Sequence, residues 1–254
     1  MFKSFLSLML GAAVLREASA APVHFQSGEK QVALLELYTS EGCSSCPPAE
    51  AWLSTLKDSP DLWKTFAPVA FHVDYWDSLG WKDARSSPLF TDRQRSYAEL
   101  WRSENVYTPC FVLNGDEWRS WMVRRGVPGP GGDDVGALIV SSADENHWSV
   151  TFVPAKPSDE KYEIHAALLA GGSDSDVKAG ENRGRHLHHE FAALDLIQIG
   201  LTTRNGAVQG KFLLDASKHA GETSLALTAW VTRAGEIKPV QATGGWLILP
   251  AVQK

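Results

Sequence analysis

Cysteine is scarce in this chain. Only three cysteines occur in 254 residues, at positions 43, 46 and 110. An exported protein that depends on disulfides normally carries an even set spread over its length. A bridge between Cys43 and Cys46 would enclose only two residues, so it would remove little entropy from the unfolded chain. The pair therefore indicates chemistry rather than a structural cross-link.

Long hydrophobic runs and basic runs are also missing. The apolar stretch at residues 4–15 is shorter than the roughly twenty residues that a membrane-spanning helix needs. Together with Lys3 before it and small residues at 18–20, it predicts a signal peptide over residues 1–20. The formal net charge is −6, and no basic residues alternate with aromatic ones, so nucleic acid is not an expected partner. The protein is predicted to be periplasmic or secreted, without a membrane span.

Hydrophobic patterning predicts an α/β arrangement in the first half. Residues 31–39 and 68–75 are typical of buried strands, and residues 91–103 are typical of a helix. Residues 108–113 indicate another strand that is entered through a proline. Strands that alternate with helices predict an α/β domain over residues 23–144.

The pattern changes after a Gly/Pro-rich run at residues 126–134. A short helix is predicted around residues 135–142. Six strand-like segments then follow one another, separated by polar turns, which predicts an all-β sandwich-like domain over residues 145–254.

Cys43 and Cys46 lie between a predicted strand and a predicted helix. Unpaired N–H groups at a helix start stabilise a thiolate and lower its pKa. Such a thiolate attacks a substrate disulfide, and a second thiol resolves the mixed disulfide. We therefore assign Cys43 as the nucleophile and Cys46 as the resolving cysteine. Pro47 disfavours helical angles at Cys46, so the helix is expected to begin only after the pair.

Three alternatives stay open for this pair. It could be an inert disulfide, or two buried free thiols. It could also be half of a zinc site, although the remaining ligands would have to be Cys110 or histidines that are distant in sequence.

Several segments of the chain resemble a family of exported thioredoxin-like proteins of unknown function. They are LELYTSEGCSSCPPAE, FHVDYWDSLGWKD, RQRSYA, VYTPCFVLNG, GENRGRHLHHE at 180–190 and TGGW at 243–246. The resemblance covers nearly the whole chain after the predicted signal peptide. It implies an α/β thioredoxin-like domain at 23–144, followed by the all-β sandwich-like domain at 145–254.

On the general thioredoxin pattern, the resemblance carries function onto Cys43, Cys46, Glu36 and Pro109. Glu36 is an acid within an apolar strand, where a buried carboxyl group could exchange a proton with the resolving thiol. A solvent-facing strand residue is the alternative for Glu36. Pro109 would be a cis-proline that faces the disulfide.

Further residues are candidates for redox chemistry or substrate contact. Cys110 follows the proline where the family is expected to have a polar residue, so it is either a third redox thiol or a small buried hydrophobe. Thr108 precedes the proline. Asp74, Trp76 and Trp81 follow a strand end, where they could grip a partner polypeptide or cover the core.

Three histidines at 186, 188 and 189 raise the question of a copper site. Alternation along a strand places His186 and His188 on one face and His189 on the other, and two imidazoles make an incomplete site. We therefore predict no metal, and no cofactor other than a redox-active disulfide between Cys43 and Cys46.

The sequence predicts a thiol–disulfide oxidoreductase that acts on exported polypeptides or on a redox partner protein. The alternative is a non-catalytic binding protein or a copper-handling protein. The second domain motivates this alternative, because exchange by a Cys-x-x-Cys pair does not require it. The sequence does not indicate an oligomeric state.

Overall fold

The computed structural model describes residues 22–123, 126–129, 132–144, 146–157 and 159–247. The predicted signal peptide lies outside these residues. The described part contains two α-helices, α1 (Pro47–Ser54) and α2 (Pro88–Trp101), and fifteen strands. The strands are β1 (Val23–Gln26), β2 (Ala33–Thr39), β3 (Phe66–His72), β4 (Cys110–Leu113), β5 (Asp116–Glu117), β6 (Gly136–Ser142), β7 (His147–Pro154), β8 (Tyr162–Gly171), β9 (Ser173–Asp176), β10 (His186–His189), β11 (Ala192–Gly200), β12 (Thr202–Arg204), β13 (Ala207–Leu213), β14 (Ser224–Arg233) and β15 (Pro239–Trp246). None of the described helices is long and apolar enough to cross a membrane.

The predicted fold class, an α/β thioredoxin-like domain followed by an all-β sandwich-like domain, is wrong. The protein is mostly β-sheet, and strands from both predicted domains share one eight-stranded mixed sheet. The strand order in this sheet is β15-β14-β8-β11-β3-β2-β4-β5. The two halves meet where β11 joins β3 in parallel at Ala192 and Ala70. The domain boundary near residue 144 stays a prediction. This position lies between β6 and β7, two strands that pair with each other.

The centre of the large sheet explains why the first half looked like an α/β protein. β2 and β3 are parallel and buried along their whole length, as expected for strands that are covered on both faces. The strands predicted at 31–39 and 68–75 are therefore confirmed, with shifted ends. Most of the remaining pairs in this sheet are antiparallel. The strands that the second half of the chain adds determine the strand order and the mixed character of this sheet. The local pattern of the first half does not reveal these strands.

The second sheet is antiparallel and has five strands in the order β1-β6-β7-β13-β12. Its inner residues form a core with alternate residues of β8 and β14. The helix predicted at 135–142 is wrong, because this segment is β6. A short apolar run does not distinguish a strand from a helix. Pairing with β1 and β7 makes it a strand here.

α2 packs against β3, whereas α1 packs against β10 and contacts the end of β2 through Glu50 and Thr39. The helix predicted at 91–103 is confirmed as α2, but it begins earlier. Ser87 caps it by accepting a hydrogen bond from the N–H of Leu89, and Pro88 occupies the first turn, where no N–H is needed.

Candidate functional site

Cys43 and Cys46 form a disulfide between the end of β2 and the start of α1, with their Cα atoms 5.5 Å apart. Cys46 is the N-cap residue of α1, and the N–H of Ala49 donates to its carbonyl at 2.9 Å. The helix begins at Pro47, directly after the pair, although Cys46 itself has helical angles. The first two residues of α1 are prolines without N–H groups, and the N–H groups of Ala49 and Glu50 both donate to the carbonyl of Cys46. The disulfide therefore lies at the positive end of the helix dipole, but the first turn offers it no unpaired N–H.

Three of the predicted site residues, Thr108, Pro109 and Trp76, lie at or near Cys43. Its Sγ is 3.7 Å from the carbonyl oxygen of Thr108 and 3.3 Å from the Oγ of Ser45. The peptide bond between Thr108 and Pro109 is cis. Trp76 donates its ring N–H to the Oγ1 of Thr108 at 2.8 Å. The structure thus brings Thr108, Pro109 and Trp76 together at the disulfide.

Gly42 makes room for this arrangement. A Cβ atom on Gly42 would lie 3.0 Å from the Cβ of Trp76, closer than side chains ordinarily pack. The absence of a side chain at position 42 lets the Trp76 loop approach the turn before Cys43.

An apolar groove begins at the disulfide loop and has a volume of about 560 Å³. Most of its lining is aromatic or otherwise apolar, and Met122 at its edge is 72% exposed. The lining residues are Ser45, Pro48, Tyr107, Pro109, Phe111, Trp118, Arg119, Trp121 and Met122. Such a surface suits apolar side chains of a polypeptide that lies across the disulfide loop.

Neither cysteine is exposed to solvent. The backbone around Cys43 is held by a segment from the second half of the chain. The side-chain amide of Asn182 donates to the carbonyl oxygens of Glu41 and Cys43, each at 2.8 Å. The carboxylate of Glu181 accepts the N–H of Ser44 at 3.1 Å. We call residues 180–184 the cap segment, because two of its side chains fasten it to the disulfide loop.

Glu36 is buried, but its side chain lies on the α2 face of the sheet. Its carboxylate accepts hydrogen bonds from Arg93 at 2.6 Å and from the hydroxyl groups of Tyr38 and Tyr97. α1, which Cys46 caps, lies on the opposite face, where its Glu50 accepts a hydrogen bond from Thr39. Glu36 is therefore paired with a guanidinium group rather than placed beside the resolving thiol.

Cys110 is a free, buried cysteine. It pairs across the strands with Tyr38, which places its side chain on the α2 face, away from α1. Burial raises the pKa of its thiol to about 12. This placement favours a small buried hydrophobe over a third redox thiol.

Asp74 and Trp81 contribute to other contacts. Asp74 accepts a hydrogen bond from Thr91 at 2.6 Å in the first half of α2. Trp81 donates its ring N–H to Glu41 at 2.7 Å. Neither of these contacts involves the disulfide cysteines.

Sequence reasoning missed a buried cluster of acids and histidines behind α1. The imidazole of His189 contacts the carboxylate of Glu50 through Nδ1 and that of Glu41 through Nε2, the latter at 3.2 Å. The Nδ1 of His72 lies 2.7 Å from Asp83. All five side chains are almost completely buried.

The side chains of this cluster strongly shift one another's pKa values. Burial alone would lower the pKa of His189, but the charge of Glu50 and the hydrogen bonds that His189 donates to both glutamates raise it to about 10. Burial alone would raise the pKa of Glu50, and His189 reverses this and lowers it. Burial alone would also raise the pKa of Asp83, but the charge of His72 and its hydrogen bond to Asp83 lower this pKa.

Distance along the chain explains why this cluster was missed. Its members come from five separate segments, and His189 reaches β3 only because β11 follows it into the large sheet. One signal was available: Glu50 and His72 are polar residues within otherwise apolar segments. The three histidines at 186–189 were correctly separated by alternation, since His186 and His188 are exposed and His189 is buried.

Fold and site together define a mostly β protein whose described residues form two large sheets and a two-stranded β9–β10 sheet, with one disulfide at a helix N-terminus beside a buried acid–histidine cluster. The chain belongs to a family described as protein of unknown function (DUF1223), whose model matches residues 34–232. A comparison with curated proteins found no match.

Two solved structures have similar folds. A protein of Agrobacterium tumefaciens is 22% identical, with a TM-score of 0.63 over 89% of this chain and 98% of its own. HBP35 of Porphyromonas gingivalis is 15% identical, with a TM-score of 0.57 over 89% of this chain and 78% of its own. At these identities the likeness concerns the fold alone.

Proposed function

We propose that the protein exchanges disulfides with the thiols of exported polypeptides through Cys43 and Cys46. The observation that carries this proposal is a disulfide at the start of α1, next to an apolar groove. A bridge between residues three positions apart adds little stability to the fold, so chemistry is the better explanation for it.

The reaction begins with the protein in its disulfide form. A substrate thiolate attacks the Sγ of Cys43, the bond between the two cysteines breaks, and Cys46 leaves as a thiolate. A second substrate thiolate then attacks the substrate sulfur of the mixed disulfide and releases Cys43 as a thiolate. The substrate gains a disulfide, and its two electrons remain on the reduced pair. The reverse sequence reduces a substrate disulfide.

The neighbours of Cys43 support its role as the attacked sulfur. Cys43 is the member of the pair that lies beside Thr108, and Pro109 of the same segment lines the groove. A polypeptide whose apolar side chains occupy the groove would therefore carry its own cysteine toward Cys43. The positive end of the α1 dipole, where Cys46 is the N-cap residue, would stabilise the thiolate of Cys46 as it leaves.

Export is part of the proposal. Two observations support it. Residues 1–20 have the pattern of a signal peptide, and the protein contains a disulfide, which persists in the oxidising compartments outside the cytoplasm. The partners would be exported polypeptides or a redox protein of the same compartment. N-terminal sequencing of the protein from its native host should find a chain that begins near Ala21; retention of Met1 would contradict export.

Redox titration tests the exchange reaction. The protein is equilibrated in glutathione buffers of graded potential, alkylated, and analysed by mass spectrometry for each cysteine. We expect a potential for the Cys43–Cys46 pair above about −230 mV, the range of exchange-competent pairs. Cys110→Ser is the matched control and should leave this potential unchanged. Cys43→Ser should abolish disulfide transfer to a reduced peptide that carries an apolar residue next to cysteine.

The burial of both cysteines favours a second candidate, a binding protein without turnover. In that case the groove would bind an exported polypeptide and the disulfide would only shape the loop beside it. A potential below about −300 mV, typical of structural bridges, would support this candidate and contradict the first. Copper handling would show as Cu(I) that the reduced protein retains against a chelator and that Cys43→Ser loses.

A further inference from the structure

The cluster behind α1 contains three side chains with the spacing of metal ligands. The Nε2 or Nδ1 atoms of His72 and His189 and a carboxylate oxygen of Glu50 all lie within 4.8 Å of one another. We call these three residues the buried triad. They come from β3, β10 and α1, so the tertiary fold alone brings them together.

His72 supplies an independent observation. Its Nε2 atom is buried and has no hydrogen-bond partner, whereas its Nδ1 lies 2.7 Å from Asp83. Buried polar atoms are nearly always paired, so an unpaired nitrogen within this cluster requires an explanation. An imidazole that donates one N–H to a carboxylate presents the lone pair of its other nitrogen, which is the form that binds metals.

The remaining ligands are held in the same way. His189 contacts Glu41 through Nε2 at 3.2 Å while its Nδ1 faces Glu50. The other carboxylate oxygen of Glu50 accepts a hydrogen bond from Thr39 at 2.6 Å. Each member of the triad therefore has a second polar partner that fixes its orientation, as metal ligands usually do.

We propose that Glu50, His72 and His189 bind one divalent transition-metal ion, with zinc(II) as the first candidate. Two imidazole nitrogens and one carboxylate oxygen are a ligand set that zinc accepts. The ion takes the place of the proton that His189 and Glu50 share, and that proton passes to solvent. Three buried carboxylates accompany only two imidazoles in this cluster, so a divalent cation also balances its charge.

A cavity beside Glu41 provides a route for the ion. It has a volume of about 530 Å³, and its walls carry Asp174, Asp195 and Glu222 against the single guanidinium of Arg85. Carboxylates that line a concave surface raise the local concentration of cations. An ion in this cavity would therefore be attracted toward Glu41, which contacts the triad.

The exposed histidines of β10 are the main competing site. His186 and His188 lie in ion pairs with Asp174 and Asp176 at the surface. Weak zinc binding at this hairpin must be distinguished from binding at the buried triad. The double variant H186Q/H188Q removes the surface imidazoles and keeps the triad intact.

Zinc competition against a chromophoric chelator tests the proposal on the full-length mature protein after chelator treatment. We expect one tightly bound zinc per chain in the wild type and in H186Q/H188Q, and its loss in H72Q. Asp83→Asn retains all three ligands and should weaken binding about 10- to 100-fold, because it removes the carboxylate that orients His72. Wild-type protein that binds no zinc, or binding that only H186Q/H188Q removes, overturns the proposal.

Cobalt(II) provides a readout that does not depend on whether H72Q folds. The wild-type protein should give the visible bands of a cobalt ion with nitrogen and oxygen ligands, without a thiolate charge-transfer band. The same spectrum is expected from C43S/C46S, which separates this site from the disulfide chemistry proposed above. A thiolate band that disappears in C43S/C46S would move the metal to the cysteine pair and contradict the proposal.

Discussion

At the residue scale, His165 is a buried histidine that lies apart from the acid–histidine cluster. Its ring stacks on Trp230 with the ring centroids 5.3 Å apart, and its Nε2 lies 3.1 Å from the hydroxyl of Thr232. Burial, together with the nearby charge of Arg93, lowers the pKa of His165 to about 3. The folded protein therefore keeps this imidazole neutral at pH values at which an unfolded chain protonates it.

This difference predicts a loss of stability in acid. The unfolded state binds a proton below about pH 6.5, and the folded state does not do so until about pH 3. The free energy of unfolding should therefore decrease as pH falls between these values, by at most ~5 kcal/mol from this residue. Urea titrations of the wild type and His165→Gln between pH 7 and pH 4 measure the effect.

The variant should show a smaller decrease than the wild type over the same range. His24→Gln, which changes an exposed histidine of β1, is the control and should follow the wild type. Parallel curves for the wild type and His165→Gln would contradict the assignment of this pH dependence to His165.

At the scale of elements, β15 is a strand whose backbone is approached closely by aromatic rings. A Cβ atom on Gly244 would lie 2.6 Å from the ring of Trp63, and one on Gly245 would lie 2.3 Å from the ring of Phe25. β15 is the edge strand of the large sheet, and Phe25 belongs to β1 of the other sheet. The two glycines therefore let rings pack directly against the backbone of this edge.

Gly245→Ala should destabilise the protein. The added methyl group must displace Phe25, and overpacking of this kind typically costs about 1–3 kcal/mol. Gly221→Ala is the matched control, because a Cβ there meets no atom within 4 Å and the backbone angle is ordinary. Thermal unfolding of the two variants measures the difference; equal melting temperatures would show that Phe25 has room to move.

At the scale of the whole molecule, the second half of the chain covers the disulfide of the first half. The cap segment contributes Asn182, which is fully buried and bonds to the backbone on either side of Gly42. The same half contributes β11, which extends the sheet beyond β3. Access to the disulfide therefore depends on contacts between residues more than a hundred positions apart.

Asn182→Ala should speed reduction of the disulfide by a small thiol. It removes two buried hydrogen bonds that hold the loop around Cys43, worth about 1 kcal/mol each. The equilibrium constant for opening of the cap segment would then increase by roughly tenfold or more. Stopped-time alkylation with mass spectrometry measures the rate.

Lys178→Ala is the matched control for this experiment, since Lys178 is an exposed residue just before the cap segment and pairs with Asp176 at the surface. The disulfide of this variant should be reduced at the wild-type rate. An unchanged rate in Asn182→Ala would show that the cap segment does not limit access to the disulfide.

Local sequence patterns were sufficient to predict several features of this protein. The strands around residues 31–39 and 68–75, the α2 helix and the alternation of His186, His188 and His189 follow from hydrophobic period and residue type, which act over a few residues. The position of Cys43 and Cys46 between a strand and a helix was also predictable. A continuous apolar run, a proline turn and a capping residue leave few local alternatives.

The sheet order, the partners of Glu36 and the buried triad could not be predicted from local patterns, because each depends on tertiary contacts. The contact of β11 with β3 joins the two halves and places His189 beside His72 and Glu50. Glu36 faces α2 rather than α1 because strand alternation gives neighbouring residues opposite faces, and packing decides which helix covers each face. These features depend on contacts between distant segments, whose free energy arises from burial in the assembled fold rather than from any local pattern.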